Sequence, residues 1–250
     1  MLFYNLLKMY LLELFQKRWL FVINILFLIA GVSIPLIRSF YFLSNNSLFS
    51  FLIAARDMKI VLFSYLPLLL LFFYSFNYMD KNVYVYFRHK NRQSYCVHLI
   101  IKIVSLAILY SSIYLLIVGI NFLIVREKIV MWLLPSSSWL VITYFIVSLW
   151  LVTVAICIFA QILVFFVKNK AICIFTIYFF ITIDQLLEKN YNFSLFWSKG
   201  LIFQEKDLFL TSISLMKLAF ILGIISILFS ILNICLHRWT YITEVINYDE

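Results

Sequence analysis

An enzyme that works inside a bilayer needs an internal cluster of the Asp/Asp or Glu/His kind. Only Asp184 and Glu188 come close to forming one, and both sit on a single short segment. An ionisable residue within an apolar stretch is a candidate functional group. The plainer reading of Asp184 is a helix-end carboxylate at headgroup level, because the uncharged run before it is short. His89, His98 and His237 flank hydrophobic runs and read as interfacial side chains rather than ligands. Cys96, Cys157, Cys173 and Cys235 have no metal-ligand spacing and read as small apolar core residues. There is no G-x-S-x-G, no H-E-x-x-H and no Gly-rich phosphate loop, and the chain holds only 4 glycines. The expectation is a non-catalytic chain with no catalytic residue, no metal ligand and no cofactor of its own.

The densest charge lies at 80–102, DKNVYVYFRHKNRQSYCVHLIIK, where Lys81, Arg88, Lys90, Arg92 and Lys102 accompany one acid. Short loops rich in Lys and Arg stay on the cytoplasmic face during insertion, so this hub marks the inner side. It lacks Gly and Pro, and Tyr84, Phe87, Cys96, Leu99 and Ile100 recur at helical spacings. One reading is a topology anchor that binds anionic headgroups. The sharper reading is a lever on which a soluble partner pushes. The net charge of +9 belongs to such juxtamembrane cations and is not a nucleic-acid signal.

Composition sets the elements that must position these residues. Hydrophobic residues make up 65% of the 250 and charged residues only 12%, about half the usual charged share of a soluble domain. The pattern is that of one all-α polytopic membrane domain over 1–250, with no room for a separate soluble domain. Residues 1–18 are amphipathic and are expected to lie in the interface. Six spans are expected at about 19–37, 60–79, 103–125, 139–167, 171–187 and 218–236. Pro35 falls near the outer end of the first span, and Pro67 should kink the second. Residues 39–59 read as a connector. Pro135 and the serines after it open the long fourth span. Lys168, Asn169 and Lys170 make a tight, basic inner turn.

The fifth span is the anomaly. Residues 171–183 are uncharged, about 20 Å of helix against a hydrocarbon core of about 30 Å. Asp184 therefore arrives before the outer interface. The stretch that follows carries Phe193, Phe196 and Trp197, then Gly200, then 201–203. Its patches are too short to span and too apolar for a free loop. They read as a candidate re-entrant segment that dips back into the outer leaflet, where its backbone must be sheltered by protein or line a wet cavity. Asn24, Asn121, Gln161 and Asn233, inside spans, should make interhelical hydrogen bonds. With an even number of spans both termini share the hub's side. Just over half of the 20 Lys and Arg fall there too, a modest inward bias. A plasma-membrane protein with cytoplasmic termini is the expected localisation.

This order of elements resembles the membrane subunits of type-2 ABC exporters, the ABC-2 permease family. The likeness rests on the amphipathic entry, the run Phe87, Arg88, Lys90, Asn91, Arg92 and Tyr95 before the third span, the inner turn at Lys168, Asn169 and Lys170, and the aromatic segment before the last span. The resemblance implies a six-span half-transporter paired with a second membrane subunit, the same or homologous. It also implies two soluble ABC ATPase subunits that bind the ATP and Mg and meet the 80–102 segment as a coupling helix. The substrate would be apolar or amphipathic: a peptide, an antibiotic or a lipid. The alternatives are an intramembrane enzyme acting on lipid or protein, and an accessory scaffold subunit.

Overall fold

The computed structural model describes residues 17–42, 48–76, 92–125, 138–167, 169–203 and 212–246. Every regular element among them is helical. In order these are α1 (Arg18–Phe42), α2 (Leu48–Ala55), α3 (Met58–Ile60), a π-helical turn (Val61–Tyr65) and α4 (Leu66–Phe76). Then follow α5 (Arg92–Val125), α6 (Ser138–Phe166), α7 (Lys170–Tyr191), a single π-type turn (Trp197–Leu201) and α8 (Ser212–Ile246). Among the described residues six stretches are long and apolar enough to cross a membrane: Arg18–Ser39, Leu48–Phe76, Val97–Val125, Trp139–Phe166, Lys170–Tyr191 and Ser214–Leu236. The chain is therefore all-helical, with the build of a multi-pass membrane protein. The amphipathic segment expected at 1–18 lies outside the described residues apart from Lys17 and Arg18, and Arg18 already belongs to α1.

Several helices outrun the expected spans, because a charge does not stop a helix whose backbone bonds are satisfied. Lys102 rides on α5 and Lys217 on α8 without ending either. A long cationic stem can lie along an apolar surface and reach for its polar end. The second membrane-length stretch begins at Leu48 rather than 60, so much of the expected connector is helical. The fifth also corrects expectation. α7 continues past Asp184 to Tyr191, 22 residues or about 33 Å of helix. Asp184 is thus a buried residue within the helix and not its end.

Helix α1 runs antiparallel to Leu48–Phe76, and its contacts give the register. Lys17 Nζ donates to Ser75 O at 2.8 Å, and Phe21 packs on Phe72 and Phe76. Asn24 Nδ2 donates to Leu68 O at 3.1 Å. Ser64 Oγ donates to Gly31 O at 2.9 Å. That last contact needs glycine, since a Cβ on Gly31 would lie 2.6 Å from Ser64 Oγ. The π-helical turn ends two residues before Pro67. Proline supplies no N–H and its ring crowds the carbonyl four residues back. The ladder re-spaces to i→i−5 bonds there, with Leu66 N–H donating to Val61 O.

Helix α6 is the core of the molecule, packed against α5, α7, α8 and the turn at 197–201. Val152, Ala155, Cys157, Ile158 and Ala160 are fully buried along it. By contrast α1, α7 and α8 present wide apolar faces outward, among them Trp19, Phe27, Phe175, Phe179, Leu215 and Met216. In a bilayer such faces meet acyl chains and need no protein cover.

Candidate functional site

The densest polar chemistry among the described residues lies where the chain folds back between α7 and α8. Helix α7 ends on Asn192, whose left-handed backbone (φ 53°, ψ 24°) lets its N–H donate to Glu188 O at 2.9 Å. Asparagine tolerates this conformation better than most residues. The chain then turns back along its own helix. Asp184, buried two turns earlier, accepts from Ser194 Oγ at 2.9 Å, from Leu195 N at 2.7 Å and from Phe196 N at 3.0 Å. These are the amides that leaving the helix strips of partners, and an unpaired amide in an apolar interior is costly. Both carboxylate oxygens are engaged in holding the turn.

Beyond Phe196 the chain makes one wide turn closed by Leu201 N–H donating to Phe196 O at 2.9 Å. Gly200 is pressed against α6 and α8. A Cβ there would stand 3.0 Å from Val152 Cγ2 and 3.2 Å from both Ile221 Cδ1 and Ser148 Cβ. Leu201 and Phe203 are buried, and Phe203 packs edge-on to Phe145 at 5.3 Å. Phe196 is buried against Phe180. Ser148 is ten residues along α6 from Ser138, so the turn reaches about 15 Å down that helix.

Sequence reading did not single out the residue that meets this turn from the other side. Arg56, in the break between α2 and α3, has no solvent exposure. Its Nε donates to Leu201 O at 3.3 Å, and its Nη1 donates to Phe145 O at 2.9 Å and to Ser148 Oγ at 2.9 Å. The guanidinium also lies over the Phe145 ring at 5.0 Å. Asp57 makes the break by taking an extended backbone and capping α3. Ala55 O, freed by the end of α2, accepts from the Tyr114 hydroxyl. Tyr114 stacks edge-on with Tyr65, and the Tyr65 hydroxyl pairs with Thr153 Oγ1 on α6. The only sequence signal for Arg56 was an apolar run too short to span, 48–55, followed at once by charge.

At the opposite end of the bundle the expected inner turn is partly visible. Asn169 caps α7, its Oδ1 accepting from Ala171 N at 2.9 Å. Lys170 Nζ donates to Tyr74 O at 3.1 Å, beside the Lys17 contact to Ser75 O. Two ammonium groups thus meet the last carbonyls of α4, where the helix dipole favours cations. Lys168 lies outside the described residues, as do Phe87, Arg88, Lys90 and Asn91 of the hub. Arg92 and Tyr95 fall in the opening turns of α5.

Of the segment expected before the last helix, the structure brings Asp184, Phe196 and Gly200 together, while Phe193 and Tyr191 are exposed. Trp197 begins the turn. Asn24 and Asn121 make the interhelical bonds expected of them, Asn121 Nδ2 donating to Ser33 Oγ at 2.8 Å. Asn233 instead lies exposed on α8. Among the described residues no three His, Cys, Asp or Glu side chains gather to hold a metal ion.

Comparison with protein-family models, with characterised proteins and with solved structures gives no match.

The geometry is one of restraint. Donors and acceptors converge on a backbone turn and hold it in an otherwise apolar wall.

Proposed function

We propose that the chain is the membrane subunit of an ATP-driven exporter of the ABC-2 kind, moving an apolar or amphipathic substrate such as a peptide, an antibiotic or a lipid. In this reading it sits in the plasma membrane with both termini cytoplasmic. It pairs with a second membrane subunit, the same or homologous, and takes its energy from soluble ABC ATPases that hold the ATP and Mg. The 80–102 segment, with Phe87, Arg88, Lys90, Asn91, Arg92 and Tyr95, receives the push together with Lys168, Asn169 and Lys170.

The observation that carries the reading is the buried turn at 194–203, packed against α6 and α8 just ahead of the last membrane-length helix. Non-helical backbone at such depth is tolerated only where protein shelters it or a cavity is lined. In this reading the turn is the re-entrant wall of an exit path. The Lys17 and Lys170 contacts to the end of α4 support a stiff connection from the inner face. Asp184, the acid that the intramembrane-enzyme alternative would rely on, has both oxygens committed to the turn, which favours transport over chemistry.

The test is biochemical. Purification from native membranes should bring down a soluble P-loop ATPase whose hydrolysis is stimulated by substrate. The charge reversals Arg88→Glu and Arg92→Glu should abolish that stimulation while the chain still inserts. Unchanged stimulation would reduce the hub to a topology anchor, and the absence of any ATPase would overturn the exporter reading.

A further inference from the structure

We propose that the flank between α5 and α6 is a groove that seats the acyl chain of a bilayer lipid. Two apolar hollows lie there, of about 690 Å³ and about 300 Å³. They meet at Leu115, Gly119 and Ile146, which line both. Gly119 has no side chain to divide them, and even a Cβ there would have nothing within 4 Å. The larger hollow reaches from Ser112 to Leu123 along α5, about 16 Å of helix. The smaller one is closed by Leu48 and Phe51 of α2 and by Phe145 of α6. Leu116, Ile120 and Leu123 on the lip are exposed, so the groove opens away from the bundle.

Length, width and polarity name the occupant. Ser112 lies midway along the membrane-length stretch Val97–Val125, and Leu123 lies near its end. The groove thus runs through one leaflet, whose hydrocarbon is about 15 Å deep, half of the whole core. A volume of 690 Å³ over that length is a cross-section of roughly 40 Å². A helix with its side chains, about 10–12 Å across, needs roughly 80–110 Å². A helix of a second copy is therefore too wide to seat, whereas a single hydrocarbon chain is not. Among the described residues no charged side chain lines either hollow, so nothing there holds a headgroup or a polar peptide. Left empty, the walls would forfeit dispersion contacts that a lipid tail restores. The seated tail also reaches Phe145, whose ring meets the Arg56 guanidinium and Phe203. Lipid thus packs against the residue that backs the buried turn, whatever the chain transports.

Photo-crosslinking of the full-length chain in nanodiscs tests it, with a phosphatidylcholine that carries a diazirine on one acyl chain as the probe. The reference is the outward face of α8 at Leu215, Met216 and Leu222, which is exposed in the same leaflet and lines neither hollow. Peptide mapping by mass spectrometry should find adducts on 112–123 and 142–150 at about threefold or more the α8 level, a preference that a handful of extra dispersion contacts supplies. Gly119→Leu places a good helix former at the junction of the two hollows and fills it. It should bring groove adducts down to the α8 level and leave those on α8 unchanged. Equal adducts on groove and α8 in the unaltered chain would overturn the site, whether or not the variant inserts. Undiminished groove adducts in Gly119→Leu would overturn it as well. A groove without adducts, together with a changed oligomeric state in Gly119→Leu, would give the flank to a second copy instead.

Discussion

Asp184 shows how one side chain can stand out in a sequence before its partners are legible. Its place beyond a short uncharged run marks it in the sequence, but a headgroup-level carboxylate and an internal clamp look alike there. The difference is made by Ser194, Leu195 and Phe196, whose donors reach it only because the chain reverses at Asn192. Removing the carboxylate would leave a buried amide, a half-buried amide and a buried hydroxyl without their acceptor. Asp184→Ala should therefore lower stability by about 3 kcal/mol or more, seen as a lower thermal midpoint in nanodiscs. Asn192→Gly, which suits the same left-handed backbone, should leave the midpoint nearly unchanged. A small effect at Asp184 would mean that the turn holds itself by packing alone. Arg56 was hidden for a related reason. It falls between two apolar runs in a stretch that reads as a connector, and its acceptors come from residues 145, 148 and 201.

At the scale of elements, helix existence was legible and helix extent was not. Long uncharged runs report that a helix crosses, since the bilayer leaves the backbone no other way to satisfy its bonds. They do not report where the helix stops, and α7 passes its own charges while α2 adds about two turns to the start of the second membrane-length stretch. The glycines separate the same way. Gly31 sits under Ser64 with no space for a Cβ, whereas Gly119, on the groove that α5 shares with Ile146 and Trp150 of α6, has nothing within 4 Å of one. Gly31→Ala should destabilise by roughly 1–3 kcal/mol through overpacking. Gly119→Ala should be neutral or stabilising by up to about 1 kcal/mol, from helix propensity. Denaturant titration of the two variants side by side checks this, and equal effects would contradict the tight α1–Ser64 contact.

For the whole molecule, orientation is the property with the widest consequence. If the hub faces the cytoplasm, a single cysteine replacing Asn91 should be labelled only in inside-out vesicles, and one replacing Tyr191 only from the opposite side. Labelling of position 91 from outside would invert the proposed topology and remove the coupling role with it. What the sequence by itself determined is the membrane class, the membrane-length helices and the places of the basic clusters along the chain. Those follow from hydrophobic length and charge, which are local quantities. Only the tertiary structure decided that 194–203 is tucked against α6 and α8, that Asp184 clamps rather than caps, and that Arg56 sits inside. Each of these depends on bringing a donor to an acceptor across a bundle, and hydrophobic periodicity carries no information about which distant carbonyl a buried guanidinium will meet.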